Sequence, residues 1–373
     1  MKLSVCAIVK NEVNRIQNFV EEVSSFADEI IIVDNGSNDG TWDKLEILNC
    51  ISLQCSSEFD LARNAYIERA SGDWILTLDI DERLDPLYIH HLRWSLERMD
   101  DDVNGVILPL FSYFGEGGWC QWTLTRVLRN NKISKLESPI HASFNDAALK
   151  NGGRLKFVYA PIHHYDALWN IDQTEKRIRN AKLLSKNIEN DASLYKNLAD
   201  ETCALGNASE AINIGITGLT KDTKPNSRIC KGLANYCYAN GQYEDAIYYA
   251  AEQINRFAPQ VEKNDARAER YRMEIEACRV IQYKSIYMLG RIDEALSICD
   301  ENIKQYPFLP HNYLNRYFMT EKRSINDLIM TTVLNPELIR NPAVFQPVSV
   351  GSLYEFAAST LHIEYRKELN EIK

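Results

Sequence analysis

Two carboxylates, Asp79 and Asp81, follow directly after the apolar run 74–78 of the sequence. Such a run is typical of a buried strand in a parallel sheet, and ligands of open α/β sheets bind outside the carboxyl ends of the strands. Two acids at that edge can share a divalent cation with a diphosphate, because Mg²⁺ prefers one or two carboxylates together with phosphate oxygens. Taken alone, the spacing favours a solvated strand end and a turn, since Glu82, Arg83 and Asp85 follow. The rest of the N-terminal segment decides between the two interpretations.

The elements around this pair alternate between strands and helices. Apolar runs at 3–9, 29–33, 51–54 and 74–78 predict four strands, and the stretches between them predict helices that begin near Asn11, at Thr41 and at Phe59. Repeated strand–helix–strand units imply a mostly parallel sheet. Residues 103–111 and 126–129 predict further strands. Residues 115–119 predict a mobile loop with an aromatic tip.

Polar features follow these strands and gather at one edge of the predicted sheet. They are Val9-Lys10-Asn11-Glu12 after the first strand, Asp34-Asn35-Gly36 after the second, Arg63 on the third helix and Asp79-Ile80-Asp81 after the fourth. Asp34 or Asn35 can bond the polar edge of a nucleobase, and Gly36 lets the backbone turn closely. Arg63 can face a diphosphate with its planar fork of donors. The acid pair would then hold the metal.

At these residues the chain resembles a family 2 glycosyltransferase of the GT-A fold, a Rossmann-like, mostly parallel α/β domain. The segments that carry the resemblance are 8–12, 33–41, 62–64 and 72–81, in the order and spacing of the family. The resemblance covers roughly residues 1–170, which is the size of one domain. It implies metal-dependent, inverting transfer of a sugar from a nucleotide diphosphate donor, and from a UDP-sugar in particular.

The resemblance also implies roles for individual residues. In the family the first acids lie by the nucleobase, and the second motif binds the donor diphosphate through Mn²⁺ or Mg²⁺. The donor-binding residues implied here are Val9, Asn11, Glu12, Asp34, Asn35, Arg63, Asp79 and Ile80, and the implied metal ligands are Asp79, Asp81 and a later histidine, His164, with His163 next. The family often has Asp-Asp where this chain has Asp34-Asn35, which leaves the identity of the base open.

A narrower resemblance concerns the segments 126–130, 139–141 and 162–165. They are similar to a subgroup in which the transferase domain precedes tetratricopeptide-like helices, as in lipopolysaccharide-core-type transferases and transferases that glycosylate bacteriocin peptides. Glu137 and His141 are the candidate general bases, although the usual His-Glu of the subgroup is His141-Ala142 here. The competing interpretations are a solvated turn acid and a structural histidine. Trp119 and Trp122 are candidates for stacking on a sugar, with core packing as the alternative.

From about residue 171 the strand signals vanish and an internal repeat begins. Gly206, Gly241 and Gly290 each stand five residues before an alanine, at spacings of 35 and 49 residues. The first spacing is close to the roughly 34 residues of a tetratricopeptide unit. We expect an all-α, tetratricopeptide-like domain over residues 171–373 that recognises the acceptor or assembles into a homo-oligomer. An irregular helical bundle that completes the fold is the alternative.

The composition of the chain excludes several classes of protein. The 373 residues carry a net charge of −10 with no Lys/Arg block, which argues against a nucleic-acid binder. Nine scattered cysteines without a Cys-x-x-Cys pair are typical of reduced thiols. The sequence has neither a signal-peptide pattern nor the ~18 consecutive apolar residues of a transmembrane segment. We therefore expect a cytoplasmic protein, with peripheral docking on a membrane left open.

Three functions remain to be separated. The first is glycosyl transfer to a glycan, lipid-linked or peptide acceptor. A nucleotidyltransferase on a similar sheet would need a Gly-rich loop after the first strand, and residues 9–13 contain no glycine. A non-catalytic repeat scaffold would not need the polar set at Asp34, Arg63, Asp79 and Asp81. Glycosyl transfer is therefore the favoured function.

Overall fold

The computed structural model describes residues 1–55, 59–115, 118–133, 135–136, 144–150, 152–169, 174–188, 193–224, 227–264, 266–320 and 324–341. The chain forms two compact units. The first comprises Met1–Leu110, Trp122–His164 and Asn264–Arg270, and the second comprises Phe111–Gln121, Tyr165–Lys263 and Tyr271–Lys373. The predicted boundary between residues 170 and 171 lies close to Tyr165, where the long segment of the second unit begins. In addition, the first unit includes Asn264–Arg270 and the second includes Phe111–Gln121, each from the other side of that boundary.

The described strands are β1 (Leu3–Val9), β2 (Glu29–Asp34), β3 (Ile51–Gln54), β4 (Trp74–Thr77), β5 (Glu82–Leu84), β6 (Val103–Gly115), β7 (Gly118–Arg129), β8 (Arg154–Phe157) and β9 (Ile162–His164). The described helices are α1 (Ile16–Val23), α2 (Thr41–Leu45), α3 (Phe59–Arg69), α4 (Ile89–Glu97), α5 (Phe144–Leu149), α6 (Asp166–Trp169), α7 (Thr174–Asn187), α8 (Ser193–Ala204), α9 (Ala208–Lys221), α10 (Ile229–Ala239), α11 (Tyr243–Glu262), α12 (Ala268–Met288), α13 (Ile292–Gln305), α14 (Pro310–Met319), α15 (Ile325–Leu334) and α16 (Glu337–Arg340). A 3₁₀ turn at Pro86–Tyr88 precedes α4.

The strands form one mixed sheet in the order β3-β2-β1-β4-β7-β6-β9-β5, with β8 paired to β6. The first four strands of this order are parallel to one another, whereas β7 runs antiparallel to β4 and β9 runs antiparallel to β5. The chain winds outward in opposite directions from β1, since β2 and β3 lie on one side of it and β4 on the other. The predicted α/β sheet followed by a largely helical region is confirmed.

Helix α1 shows how the apolar pattern builds the first unit. Its four buried residues are Ile16, Phe19, Val20 and Val23, which recur at the i, i+3, i+4, i+7 spacing that predicts one apolar face of a helix. The helix begins at Ile16 rather than next to Asn11, because Asn11 adopts the left-handed region at φ 59°. Residues 10–15 therefore form a loop at the end of β1.

The partly buried carboxylate of Glu29 ties together the start of β1, the start of β2 and the segment before β4. It accepts hydrogen bonds from the Ser4 hydroxyl at 2.5 Å and from the Ser71 hydroxyl and amide at 2.6 and 2.8 Å. Lys2 Nζ lies 3.4 Å from the same carboxylate. Desolvation raises the pKa of Glu29, but these bonds outweigh it and lower the pKa to about 2.

We expect Glu29→Gln to destabilise the first unit in a pH-dependent way. The pKa of Glu29 falls from 4.5 to about 2 on folding, so its contribution is complete above pH 4.5 and is lost as the pH falls through 2. The loss at pH 7 should be roughly 2 kcal/mol, as for hydrogen bonds to a charged group. Urea unfolding at pH 7 and at pH 2.5 measures it. An equal effect of the substitution at both pH values would contradict this stabilising role of the Glu29 carboxylate.

The short segment Asn264–Arg270 is part of the first unit through specific contacts. The Ala266 carbonyl accepts the Leu155 amide at 3.3 Å, and Arg267 pairs with Asp146 at 2.9 Å. Arg270 donates to the Thr123 carbonyl and, at 3.0 Å, to the Thr123 hydroxyl. A chain cut near residue 172 would lose all of these contacts of the sheet unit.

In the second unit, the three glycines of the sequence repeat form turns that end helices α8, α10 and α12. Gly206, Gly241 and Gly290 have φ values of 90°, 75° and 77°. In each turn the residue after the glycine donates its amide to the carbonyl five residues earlier, at 2.8–3.2 Å. The alanines Ala211, Ala246 and Ala295 are each 0% exposed, which lets neighbouring helices approach closely. Helices α7 to α11 pack on one another in chain order.

Gly241→Ala should lower the stability of the second unit by about 1–2 kcal/mol, because a residue with a Cβ is strained in the left-handed region. Among the described residues, no atom beyond Gly241 and its two chain neighbours lies within 4 Å of the Cβ position, so the strain is of the backbone alone. Gly241→Asn is the matched control and should cost less, since asparagine tolerates that region. Thermal unfolding compares the two variants. Equal melting temperatures for the alanine and asparagine variants would contradict this reason.

The predicted loop at 115–119 with its aromatic tip is wrong in its extent and its exposure. Strand β6 continues to Gly115 and β7 begins at Gly118, which leaves only 116–117 between them, outside the described residues. Trp119 is 0% exposed and packs edge-on against Phe111, with ring centroids 5.4 Å apart. Core packing therefore explains Trp119, and Trp122 is also partly buried against the sheet core.

Across the described residues, no helix has both the length and the apolar character that crossing a bilayer requires.

Candidate functional site

The carboxyl ends of β1, β2 and β4 lie side by side at one edge of the sheet, where the strand order reverses about β1. Backbone hydrogen bonds hold the chain together just past these ends. Asn35 donates its amide to the Val9 carbonyl at 2.8 Å, and Leu78 donates to the Cys6 carbonyl at 3.0 Å. The polar segments after the three strands therefore start from adjacent points, as the sequence predicts for a ligand site in an open sheet.

The loop after β1 and the loop after β2 are joined to each other. Asn11 donates its amide to the Ser37 hydroxyl at 2.8 Å, and its side-chain Oδ1 accepts the Asn38 amide at 2.9 Å. The left-handed conformation of Asn11 and the φ of 78° at Gly36 turn both loops toward one another. These bonds fix the backbone that borders the predicted base pocket.

A second set of bonds links the same two loops around a buried hydroxyl. Thr41, which is 0% exposed, accepts the Glu12 amide at 2.8 Å and donates to Asp39 at 2.5 Å. Asp39 also accepts the Val13 amide at 3.2 Å and the Thr41 amide at 3.0 Å. Desolvation raises the pKa of Asp39, but the bonds from Thr41 and Val13 outweigh it and hold that pKa below its usual value.

Asp34 and Asn35, the residues predicted to lie by the base, are 3% and 9% exposed. The Asp34 carboxylate accepts the Ser37 hydroxyl with one oxygen and the Ser37 amide, at 3.2 Å, with the other. Asp34 therefore shapes the turn at Gly36 as well as lining the loop.

Residues Asp79 to Glu82 form a closed turn after β4, here called the acid turn. Glu82 donates its amide to the Asp79 carbonyl at 2.9 Å, and the Asp79 amide donates to Glu82 Oε2, also at 2.9 Å. Glu82 is 1% exposed, and the Asp79 side chain is 53% exposed. The buried Glu82 carboxylate thus holds the segment Asp79-Ile80-Asp81 in place. The sequence alone suggested that Glu82 was solvated.

Arg126, on β7, lies between the two carboxylates of the acid turn. Its Nη2 is bonded to Glu82 Oε1 and lies 3.2 Å from Asp79 Oδ2. Desolvation raises the pKa of Asp79, but Arg126, Arg63 and His164 outweigh it and hold that pKa below its usual value. Desolvation and the neighbouring Asp79 charge raise the pKa of Glu82, against the opposing effect of Arg126.

Asp81 and His164 face each other across the mouth of the acid turn, with Oδ2 and Nε2 3.6 Å apart. Both side chains are partly exposed, at 15% and 28%. A carboxylate oxygen and an imidazole nitrogen at this separation can both bind one divalent cation, and the carboxylate is a ligand that suits Mn²⁺ and Mg²⁺. His163, the second candidate, is 1% exposed and its Nε2 is bonded to the buried Asp85 at 2.9 Å.

The remaining predicted donor-binding residues lie around these loops. The Arg63 guanidinium lies over the Phe144 ring, 5.5 Å from its centroid, and its charge helps to lower the pKa of Asp79. Burial raises the pKa of Glu12; Arg15 opposes this, and the charges of Asp81 and Asp39 add to it. Val9 and Ile80 are buried in the sheet core, at 2% and 8% exposure.

The two candidate general bases, Glu137 and His141, lie outside the described residues. The chain just before them is anchored, since Asn64 and Leu136 exchange two hydrogen bonds of 2.9 Å. Glu82 and Arg126 are the site residues that sequence reasoning missed. An arginine on the strand that pairs with β4 was a signal for a partner of the acids, but only the β4–β7 register brings the two together.

Residues 4–151 match the family model described as glycosyl transferase family 2. A TPR repeat-containing protein of Synechococcus elongatus is 29% identical over 151 residues, which are 40% of this chain and 36% of that protein. An uncharacterized glycosyltransferase of Rickettsia typhi is 32% identical over 175 residues, which are 44% of this chain and 60% of that protein. The chain thus spans less than two thirds of either relative.

Among solved structures, the chain is similar to the mannosyltransferase PcManGT from Pyrobaculum calidifontis in complex with GDP-Man and Mn²⁺. The identity is 15% and the TM-score is 0.38, over 60% of this chain and 76% of that one. The motifs after β1, β2 and β4 all fall inside the matched residues 4–151. The match to the glycosyl transferase family 2 model thus covers the part of the chain that forms these loops.

Proposed function

We propose that this protein transfers a sugar from a nucleotide diphosphate donor to an acceptor, and that it does so with a divalent metal bound at Asp81 and His164. The observation that carries the proposal is the meeting of three loops at the reversal point of the sheet. One loop pair offers Asp34 and Asn35, and the acid turn offers Asp79 and Asp81. Donor phosphates would lie between them, at the carboxyl edge where such ligands bind.

The two proposed ligand atoms fit a divalent cation. Asp81 and His164 offer an oxygen and a nitrogen 3.6 Å apart, on backbone held by the acid turn and by the β5–β9 pair. When bound, Mn²⁺ or Mg²⁺ would neutralise charge on the leaving nucleoside diphosphate. Asp79 is set apart from this pair by its contact with Arg126, so we assign it to donor orientation rather than to the metal.

The residues of the chain would divide the remaining work. Arg63 would add a second positive charge beside the diphosphate, where preorganised charge lowers the barrier most. Asp34 and Asn35 would hold the nucleoside end, with uridine as the base that we propose. In the transfer, the bond from the anomeric carbon to the diphosphate breaks and a bond to the acceptor forms on the opposite face. The acceptor proton passes to a general base, for which Glu137 and His141 stay the candidates.

The helical unit would serve the acceptor or self-assembly rather than the chemistry. Its helix pairs repeat with glycine turns and buried alanines, and such arrays present extended surfaces to partners. The acceptor that we propose is a glycan, a lipid-linked saccharide or a peptide.

Asp81→Asn should lower turnover by about 10²-fold or more, because it keeps the shape of the side chain but removes the charge that binds the metal. Excess chelator should abolish activity of the unaltered protein. Release of nucleoside diphosphate measures both effects. Asp101→Asn, at a side chain 98% exposed, is the control for loss of one negative charge and should leave turnover unchanged. Full activity in chelator or in the Asp81 variant would refute the assignment.

Asp34→Ala should weaken binding of UDP by about tenfold, and the unaltered protein should bind UDP more tightly than GDP, since a base edge recognised by hydrogen bonds gives that selectivity. Calorimetry with Mn²⁺ present measures the affinities. Ser37→Ala is the control for the loop structure, because it removes the hydroxyl that donates to Asp34 and accepts the Asn11 amide but keeps the Asp34 carboxylate. Equal affinity for UDP and GDP would show that the base pocket is misplaced, and an equal loss in the Ser37 variant would give Asp34 a role in the turn alone.

A further inference from the structure

We infer that the buried pair Arg126–Glu82 is a positioning device for the metal site: it holds the acid turn in the shape that sets Asp81 opposite His164. This inference rests on the function proposed above, and it assigns a role to two residues that lie behind the proposed ligands. Neither residue would touch the metal or the donor.

The first part of the device is the anchoring of the acid turn to β7. Glu82 and Arg126 are 1% and 9% exposed, and they are bonded to each other. The second oxygen of Glu82 accepts the Asp79 amide at 2.9 Å. Arg126 also reaches the Asp79 carboxylate at 3.2 Å. One guanidinium therefore fixes both ends of the turn that carries Asp81.

The second part is the link to His164. Glu82 is the first residue of β5, and its partner in the antiparallel β5–β9 pair is His164. Its amide also closes the acid turn by donating to the Asp79 carbonyl at 2.9 Å. The same residue thus locates the backbone on both sides of the 3.6 Å gap between Asp81 and His164. A shift of Glu82 would change the distance between the two proposed ligands.

The positive charge of Arg126 makes this role testable through the direction in which metal affinity changes. A positive charge beside a cation site repels the cation, so on Coulomb grounds alone the removal of Arg126 should tighten metal binding. If Arg126 instead positions the ligands, its removal should weaken metal binding, as the loss of residues that orient metal ligands typically does, by about 10–100-fold. The two explanations predict opposite changes.

The experiment measures Mn²⁺ affinity of the full chain by calorimetry and by the EPR signal of free Mn²⁺, without donor. We expect Arg126→Gln to weaken Mn²⁺ binding by about tenfold or more at a temperature where thermal unfolding shows the variant to be folded. Arg154→Gln is the matched control, since Arg154 is an arginine of the same unit with 46% side-chain exposure, paired with Asp102. That variant should bind Mn²⁺ like the unaltered protein.

The double variant Glu82→Gln with Arg126→Gln keeps the test decisive if the single variant does not fold. It leaves no lone buried charge and does not change the net charge, so a purely electrostatic role predicts unaltered Mn²⁺ affinity. Positioning predicts a loss of about tenfold. Unaltered or tighter Mn²⁺ binding in a folded variant would overturn the positioning role but would leave the proposed metal site in place. No Mn²⁺ binding by the unaltered protein would refute the proposed metal site, and the positioning role with it.

Discussion

The site depends on one electrostatic constraint, which is the crowding of three carboxylates into the four residues of the acid turn. Asp79, Asp81 and Glu82 would repel one another, and two like charges about 4 Å apart near a protein surface cost on the order of 4 kcal/mol. Arg126 offsets this by pairing with Asp79 and Glu82, which leaves Asp81 to face His164. That pairing is the reason for the different roles that we propose for Asp79 and Asp81.

The sheet order is what makes the pairing possible. Because β7 lies beside β4, an arginine more than forty residues along the chain reaches the turn after β4. On the other side of β4, the loops after β1 and β2 are joined through Asn11, Ser37 and Thr41. These bonds run between backbone amides and short side chains of the two loops, so the chain's own contacts determine the loop conformation. A preorganised loop of this kind would lower the entropy cost of binding the nucleotide that we propose as ligand.

The sequence predicts the elements and the edge of the site well, because local patterns determine them. Strands 3–9 and 51–54, the buried face of α1 and the three glycine turns are as expected. What it misses depends on contacts between distant segments. Glu82 resembles a solvated turn acid until the β4–β7 register brings Arg126 beside it, and Trp119 resembles a loop tip until β6 and β7 extend to bury it. Asn11, expected to begin a helix, instead takes a left-handed turn that its bonds to the β2 loop stabilise.

The most direct test of glycosyl transfer is a panel of sugar nucleotides incubated with the full chain and Mn²⁺, with released nucleoside diphosphate as the measurement. Glycosyl transfer, even with water as a slow acceptor, releases nucleoside diphosphate from at least one sugar nucleotide, and the proposed base pocket predicts a UDP-sugar. A nucleotidyltransferase would instead form or consume pyrophosphate with a nucleoside triphosphate. A protein that releases no diphosphate from any donor, or that releases pyrophosphate from a triphosphate, would contradict the account.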